Sequence, residues 1–130
     1  MTRRSPEFLT LGEVVAIHHD QLSRYGGRAG IRDRNALSAA IAAPAIAIQS
    51  GYLLEDIFEM AAAYLYHIVR GHPFVDGNKR TGLVSALLFL ALNGISIRVD
   101  DDSLESLVLR AATGKLSRSG VAEFLRACEH

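Results

Sequence analysis

Residues 70–82, Arg70-Gly-His-Pro-Phe-Val-Asp-Gly-Asn-Lys-Arg-Thr-Gly82, run without a break into the apolar stretch Leu83-Val-Ser-Ala-Leu-Leu-Phe-Leu-Ala-Leu92. A polar, turn-rich segment therefore feeds straight into a helix-length block whose only polar residue is Ser85. A helix that is apolar all round belongs in a core. This reading makes the second half of the stretch the buried central helix and holds the loop at the mouth of the core. Pro73 fixes its own φ and pushes His72 out of the right-handed helical region. Gly77 and Asn78 tolerate the left-handed or sharply turned backbone that such a loop needs.

The first turn of the helix carries Lys79 and Arg80, at the positive end of its dipole, where each cation is disfavoured by roughly 0.3–1 kcal/mol. Two misplaced cations make sense if a polyphosphate binds there, because free N–H groups, dipole and side chains then act on one ligand. His72 can take a proton from an attacking hydroxyl, and Asp76 can hold a magnesium ion that bridges phosphates. Phe74 reads as a core anchor for the loop. The bland alternative is a helix-entry loop with Asp76 or Asn78 as its N-cap. A base candidate, a carboxylate, a permissive turn and two cations in so short a stretch are more than capping requires.

The run His72-Pro-Phe-Val-Asp76-Gly-Asn-Lys-Arg80 resembles the signature loop of the Fic/Doc (Fido) superfamily. The AMP-transferring Fic branch has the pattern HxFx(D/E)GNGRxxR. Here Lys79 replaces its third-position glycine and Leu83 its second arginine, so the loop is more similar to that of the death-on-curing (Doc) toxins. Ser23-Arg-Tyr-Gly-Gly27, the block from Gly71 to Gly94, and Ala111-Ala-Thr-Gly114 also resemble Doc. The resemblance implies a toxin of a toxin–antitoxin system that passes the γ-phosphoryl of ATP to a Thr/Ser hydroxyl of a translation factor, with elongation factor Tu expected. It implies His72 as general base, Asp76 as Mg²⁺ ligand, and Asn78, Lys79 and Arg80 on the phosphates, with Gly77 admitting the backbone. Arg70 is carried as a further nucleotide contact, against its ordinary reading as a cation at a helix C-terminus. A cognate antitoxin binding in trans is expected, since Ser119 and Glu123 match only part of the family's inhibitory pattern.

Two alternatives stand beside the kinase. Fic-type AMP transfer would use the same histidine at the α-phosphate, but Lys79 crowds that position and Leu83 removes a charge. A partner-binding module without activity would have no use for His72 and Asp76 together.

The chain has 130 residues, 49% of them hydrophobic, and a formal net charge of zero. That size suits one domain over 1–130 with a single core. The even charge gives no basic surface for direct nucleic-acid binding. One cysteine, Cys128, rules out an internal disulfide framework and suits the cytoplasm. The longest apolar run is too short for a membrane span, and the N-terminal arginines precede no signal-like apolar stretch.

Along the chain, periodicity and caps predict an all-α bundle of about six helices. Thr10 and Glu13 form a capping-box pattern before a stripe of Leu11, Val14, Val15, His18 and Leu22 that stops near Tyr25. His18 and His19 are adjacent, so they point apart, and a packing or surface role outweighs metal binding. Asp33 caps a second helix carrying Leu37, Ala40 and Ile41, expected to end by Pro44. Residues 45–54 are ambiguous; by resemblance Ser50-Gly51-Tyr52 would neighbour a substrate-aligning flap, while the plain reading is a connector. An amphipathic helix runs from Asp56 to about Arg70, with Tyr64 and Tyr66 as core or boundary residues. After Asn93-Gly94 the Ile95-Ser-Ile-Arg-Val99 stretch alternates like a short strand or extended connection. The acidic triplet 100–102 reads as a solvated turn, with Asp102 or Ser103 capping the next helix, and a last helix is capped near Ser119.

Overall fold

Nine residues of one helix, Phe58, Met60, Ala61, Ala62, Ala63, Tyr64, Leu65, Ile68 and Val69, are buried, and the other elements pack around it. This is α3, Ile57–Gly71, in a computed structural model that describes residues 6–49 and 56–130. Six α-helices make up the described fold: α1 Leu11–Tyr25, α2 Arg34–Gln49, α3, α4 Asn78–Leu92, α5 Asp101–Ala112 and α6 Arg118–Ala127. Among the described residues there is no strand beyond two isolated bridges, Ile31 with Phe74 and Ile97 with Glu129. The all-α expectation therefore holds. The central helix, however, is α3 and not the Leu83–Leu92 block.

The reason lies in side-chain size. Three consecutive alanines, Ala61, Ala62 and Ala63, are fully buried, and small residues let neighbouring helices close in from several sides. The larger Leu83, Val84, Leu87 and Leu88 of α4 stay half-buried, and Leu92 is 41% exposed. The buried face of α4 is Asn78, Thr81, Gly82, Ser85, Ala86, Phe89 and Leu90. Its approach to α3 is tight at Gly82, where a Cβ would lie 2.8 Å from Val69 Cγ2 and 3.2 Å from the Leu65 carbonyl oxygen. Tyr64 meets Phe89 at 5.2 Å between ring centroids and accepts the Leu9 N–H at 2.9 Å. The chain ahead of α1 is thereby tied to the core. Burial also pushes the Tyr64 hydroxyl up to about 12, so it stays protonated.

Helix starts follow local chemistry. Thr10 and Glu13 make the predicted reciprocal capping box. The buried stripe of α1 is Val14, Ile17, His18 and Gln21, whereas Leu11 and Val15 face outward. Asp33 accepts the Ala36 N–H at 3.0 Å at the head of α2. That helix does not end by Pro44 but carries it inside. A proline in a helix interior costs about 3 kcal/mol; here alanines on both sides, the best helix formers, and burial of Leu37, Ala40 and Pro44 offset it. Asp56 caps α3 through the Phe58 N–H at 2.7 Å and pairs with Arg126 of α6.

Asp100, not Asp102 or Ser103, is the N-cap of α5, and Ser117, not Ser119, caps α6. The extended stretch 95–99 pairs with the last residues of the sequence, Arg98 N–H to the Cys128 carbonyl at 2.7 Å and His130 N–H to the Ser96 carbonyl at 2.9 Å. The flap neighbourhood expected at Ser50-Gly51-Tyr52 lies outside the described residues. With Asp100 as its N-cap and Asp101 and Asp102 in its first turn, the acidic triplet 100–102 is the start of α5.

Candidate active site

The site grows from the way α3 ends. His72 closes that helix in the left-handed region, φ 53° and ψ 51°, with its N–H on the Ile68 carbonyl. Pro73 then turns the chain away. His72 is the only positive-φ residue among the described ones that is not a glycine, and such a position is held only where its surroundings fix it. Arg32 does part of this, its Nε donating to the His72 carbonyl at 2.7 Å and its Nη2 to the Gly71 carbonyl at 3.0 Å. The backbone of 30–33 pairs with that of 73–75: Arg32 N–H reaches the Pro73 carbonyl at 2.7 Å, and Val75 N–H the Gly30 carbonyl at 2.9 Å.

Phe74 anchors the loop as expected, being 1% exposed. His18 lies flat on it, centroids 3.8 Å apart and planes within 7°, and its Nε2 meets the Asp76 carbonyl at 2.8 Å. A carbonyl only accepts, so that nitrogen carries the hydrogen. His18 is thus a packing residue with a polar duty, pinning the backbone that carries Asp76. Asn78 fixes the other side. Its Oδ1 accepts the Phe74 N–H at 2.9 Å, its Nδ2 donates to the Phe74 carbonyl at 2.9 Å, and the same Nδ2 sits 3.0 Å from His72 Nδ1.

The carboxylate of Asp76 accepts the Arg28 N–H at 3.1 Å and the Gly77 N–H at 2.9 Å. These two donors, with smaller help from the Arg80 and Arg28 charges, hold its acid strength below the usual carboxylate range. Gly27, at φ 126°, comes close: a Cβ there would lie 3.0 Å from Asp76 Oδ2.

Gly77, at φ 79°, is the N-cap of α4 and no side chain caps it. Neither Asp76 nor Asn78 takes that part, so the plain capping account of the loop fails. The first backbone bond of the helix is Thr81 N–H to the Gly77 carbonyl. The N–H groups of Asn78, Lys79 and Arg80 precede it and have no acceptor within the helix.

These groups open on a cavity of about 700 Å³. His72, Asp76, Gly77, Asn78, Lys79 and Arg80 line one side; Tyr25 and Leu83 border it, and α5 faces it with Asp101, Leu104, Glu105, Val108 and Leu109. Arg80 is only partly committed, with Nη2 on the Gly26 carbonyl at 2.9 Å, its guanidinium 5.3 Å from the Tyr25 ring centre, and a buried Nε without a partner among the described residues. Arg70 is not brought to the site. Its Nη1 donates to the Ala112 carbonyl at 3.0 Å and its guanidinium packs on Gly114, so the C-terminal end of α5 takes the charge.

Tyr25, His18, Arg28, Arg32 and the acidic pair Asp101 and Glu105 were not singled out by sequence as site residues. The Gly26-Gly27 stop of α1 was legible, but the pairing of 26–33 with the loop is long-range.

A family model described as the Fic/DOC family matches residues 8–90. The "Protein kinase doc" of Escherichia phage P1 is 43% identical over 129 residues, covering 97% of this chain and 94% of the relative. The "Toxin Doc" of Mycolicibacterium smegmatis is 34% identical over 100 residues, covering 75% of this chain and 77% of the relative.

Proposed function

The chain belongs to the Fic/DOC family, and from that membership we propose that it is the toxin of a toxin–antitoxin pair, a protein kinase that uses ATP. One relative is named a protein kinase and another a toxin, both Doc. The observation that carries the reading is a helix start left without a side-chain cap, facing a cavity in company with His72, Asp76, Lys79 and Arg80.

The residues fit a triphosphate. Among the described residues no side chain caps the N–H groups at the start of α4, and with the adjacent Lys79 and Arg80 cations they form a donor set suited to an anion. They also fit magnesium. Asp76 is ionised and solvent-facing, and each of its oxygens accepts one backbone hydrogen bond, which leaves a lone pair on each. One carboxylate plus phosphate oxygens is the usual manner of holding Mg²⁺. When bound, that ion would neutralise charge on the transferring phosphoryl group.

The roles of this chain's own residues follow. His72 takes the proton from the acceptor hydroxyl of the target protein. Lys79, Arg80 and the α4 N–H groups orient the nucleotide and offset the charge that spreads over the equatorial oxygens. Gly77 keeps the approach free of side chain. Asn78 fixes the loop through Phe74, and the Leu83 side of the cavity excludes water from the nucleotide. The γ-phosphoryl moves from ATP to the hydroxyl oxygen, ADP leaves, and the hydroxyl proton rests on the imidazole.

Lys79 and Leu83 favour this over AMP transfer, since a long side chain stands in the first turn and an apolar one lines the cavity a turn later. By resemblance the target is a Thr/Ser hydroxyl of a translation factor, elongation factor Tu, which would place the work in the cytoplasm and arrest translation. A cognate antitoxin supplied in trans would hold the activity in check.

The test uses ATP labelled on the α- or on the γ-phosphate, incubated with Mg²⁺ and elongation factor Tu. Transfer of the γ label alone is expected. Transfer of the α label would replace the kinase by an AMP transferase.

A further inference from the structure

Asn78 cannot be turned around. It is buried, and its amide is gripped by both polar groups of one backbone residue: the Phe74 N–H can only donate and the Phe74 carbonyl can only accept. A flipped amide would set donor against donor and acceptor against acceptor in a buried place, losing two hydrogen bonds. The orientation therefore follows from the backbone. One amide hydrogen goes to the Phe74 carbonyl, and the other is directed at His72 Nδ1, 3.0 Å away.

Only an acceptor satisfies that hydrogen. His72 Nδ1 must present its lone pair, and in a neutral imidazole the hydrogen then sits on Nε2. We infer that Asn78 stores His72 in the Nε2–H tautomer, so that the resting site holds its base in stand-by and the imidazole must leave the Asn78 amide before it can take a proton. This rests on the reading of His72 as general base. The proton balance is plain. Nε2 already carries a hydrogen, so the proton leaving the acceptor hydroxyl has only Nδ1 to bind, and the imidazolium that results donates at both nitrogens. Neither nitrogen can then accept from Asn78.

The ring is the part that moves. Asn78 is tied twice to Phe74 and is 3% exposed, whereas the His72 side chain is exposed and lines the cavity. Asn78 is in this sense a positioning residue that sets the tautomer and orientation of the base.

His18 supplies an internal control. Its Nε2 must also carry hydrogen, for the opposite reason, because it donates to the Asp76 carbonyl. The test is a long-range ¹H–¹⁵N correlation spectrum of the full chain, ¹⁵N-labelled in histidine, without nucleotide and at a pH where the imidazoles are neutral. Wild-type His72 should show a pyrrole-type Nε2 and a pyridine-type Nδ1, the same pattern as His18. In Asn78→Asp a carboxylate oxygen replaces the amide NH₂, so the His72 pattern should invert while His18 keeps its own. Asn78→Ala should give a mixture at His72. A wild-type His72 protonated on Nδ1 overturns the inference, and that measurement needs no variant to fold. Retention of the Nε2–H pattern in Asn78→Asp, with the His18 signals intact, overturns it equally. The tautomer is read without transfer, so a failure of γ-label transfer would sink the kinase reading while leaving the stored tautomer standing.

Discussion

Helices α4 and α5 both begin at the same cavity, and they begin in opposite ways. Asp100 caps α5, accepting the Ser103 N–H and hydroxyl at 3.2 and 2.6 Å, and Asp101 and Asp102 follow in its first turn. Gly77 heads α4 without a side-chain cap, and Lys79 and Arg80 follow. A good cap is worth about 0.5–2 kcal/mol, and charge of the right sign at a helix end about 0.3–1 kcal/mol. The start of α5 takes both contributions. The start of α4 forgoes both, on a helix otherwise locked to α3 at Gly82. The loss falls at the wall of the cavity, where the proposed nucleotide reading has a use for free donors.

The largest expected effect comes from the group that has no part in holding up either helix. His72→Ala should cut γ-phosphoryl transfer by roughly 10²–10⁴-fold, the range for a lost general base. Stability should fall by no more than about 0.5–1.5 kcal/mol, the worth of the lost hydrogen bond to Asn78, because histidine already bears the left-handed backbone. Initial rates with γ-labelled ATP and urea midpoints on the same samples check both. Unchanged transfer would remove His72 from the base role.

A charge exchange between the two helix starts comes next. Lys79→Glu should stabilise the ligand-free protein by about 0.5–2 kcal/mol, because it removes a misplaced cation and adds a favourable anion. It should also lower transfer by more than tenfold. Asp102→Lys, in the first turn of α5 but not lining the cavity, should do the reverse, lowering stability by a similar amount and leaving transfer within about twofold. If Lys79→Glu destabilised the protein, the first turn of α4 would be structural after all.

The same contrast explains what was legible in sequence. Local signals survived: Thr10 with Glu13, Asp33 before α2 and Asp56 before α3 all act within a few residues of themselves. Errors arose where tertiary packing outweighs local preference. Pro44 should stop a helix, but burial and the alanines around it carry α2 through. The apolar block after Gly82 suggests the innermost helix, but bulk and apolarity do not decide centrality. The alanines of α3 admit neighbours that the leucines of α4 hold off. Arg70 lies one step from the loop in sequence, yet the Ala112 carbonyl, 42 positions away, claims it. Arg28 reaches the site because 26–33 folds back on 73–77, Tyr25 and His18 because α1 packs against the loop and the start of α4, and no local spacing announces either.

The smallest effect concerns two carboxylates with similar bonding and different duties. Asp76 is held below the usual carboxylate range chiefly by the Arg28 and Gly77 N–H groups, and Asp100 chiefly by the Ser103 hydroxyl and N–H. For a group whose folded-state pKa is depressed, the stabilisation is complete above its unfolded value and is lost as pH falls through the folded one. The urea midpoint of wild type should therefore exceed that of Asp76→Asn or Asp100→Asn by a constant margin from neutral pH down to the ordinary carboxylate range. Below that range each margin should shrink. Both residues are solvent-exposed, so the margins will be small, and pH alone will not separate the two positions. Mg²⁺ with ATP should. If Asp76 holds the ion, adding both ligands raises the midpoint of wild type and of Asp100→Asn by mass action, and raises that of Asp76→Asn far less. An equal rise in all three would take the metal away from Asp76 and leave it, like Asp100, a carboxylate that only braces a helix start.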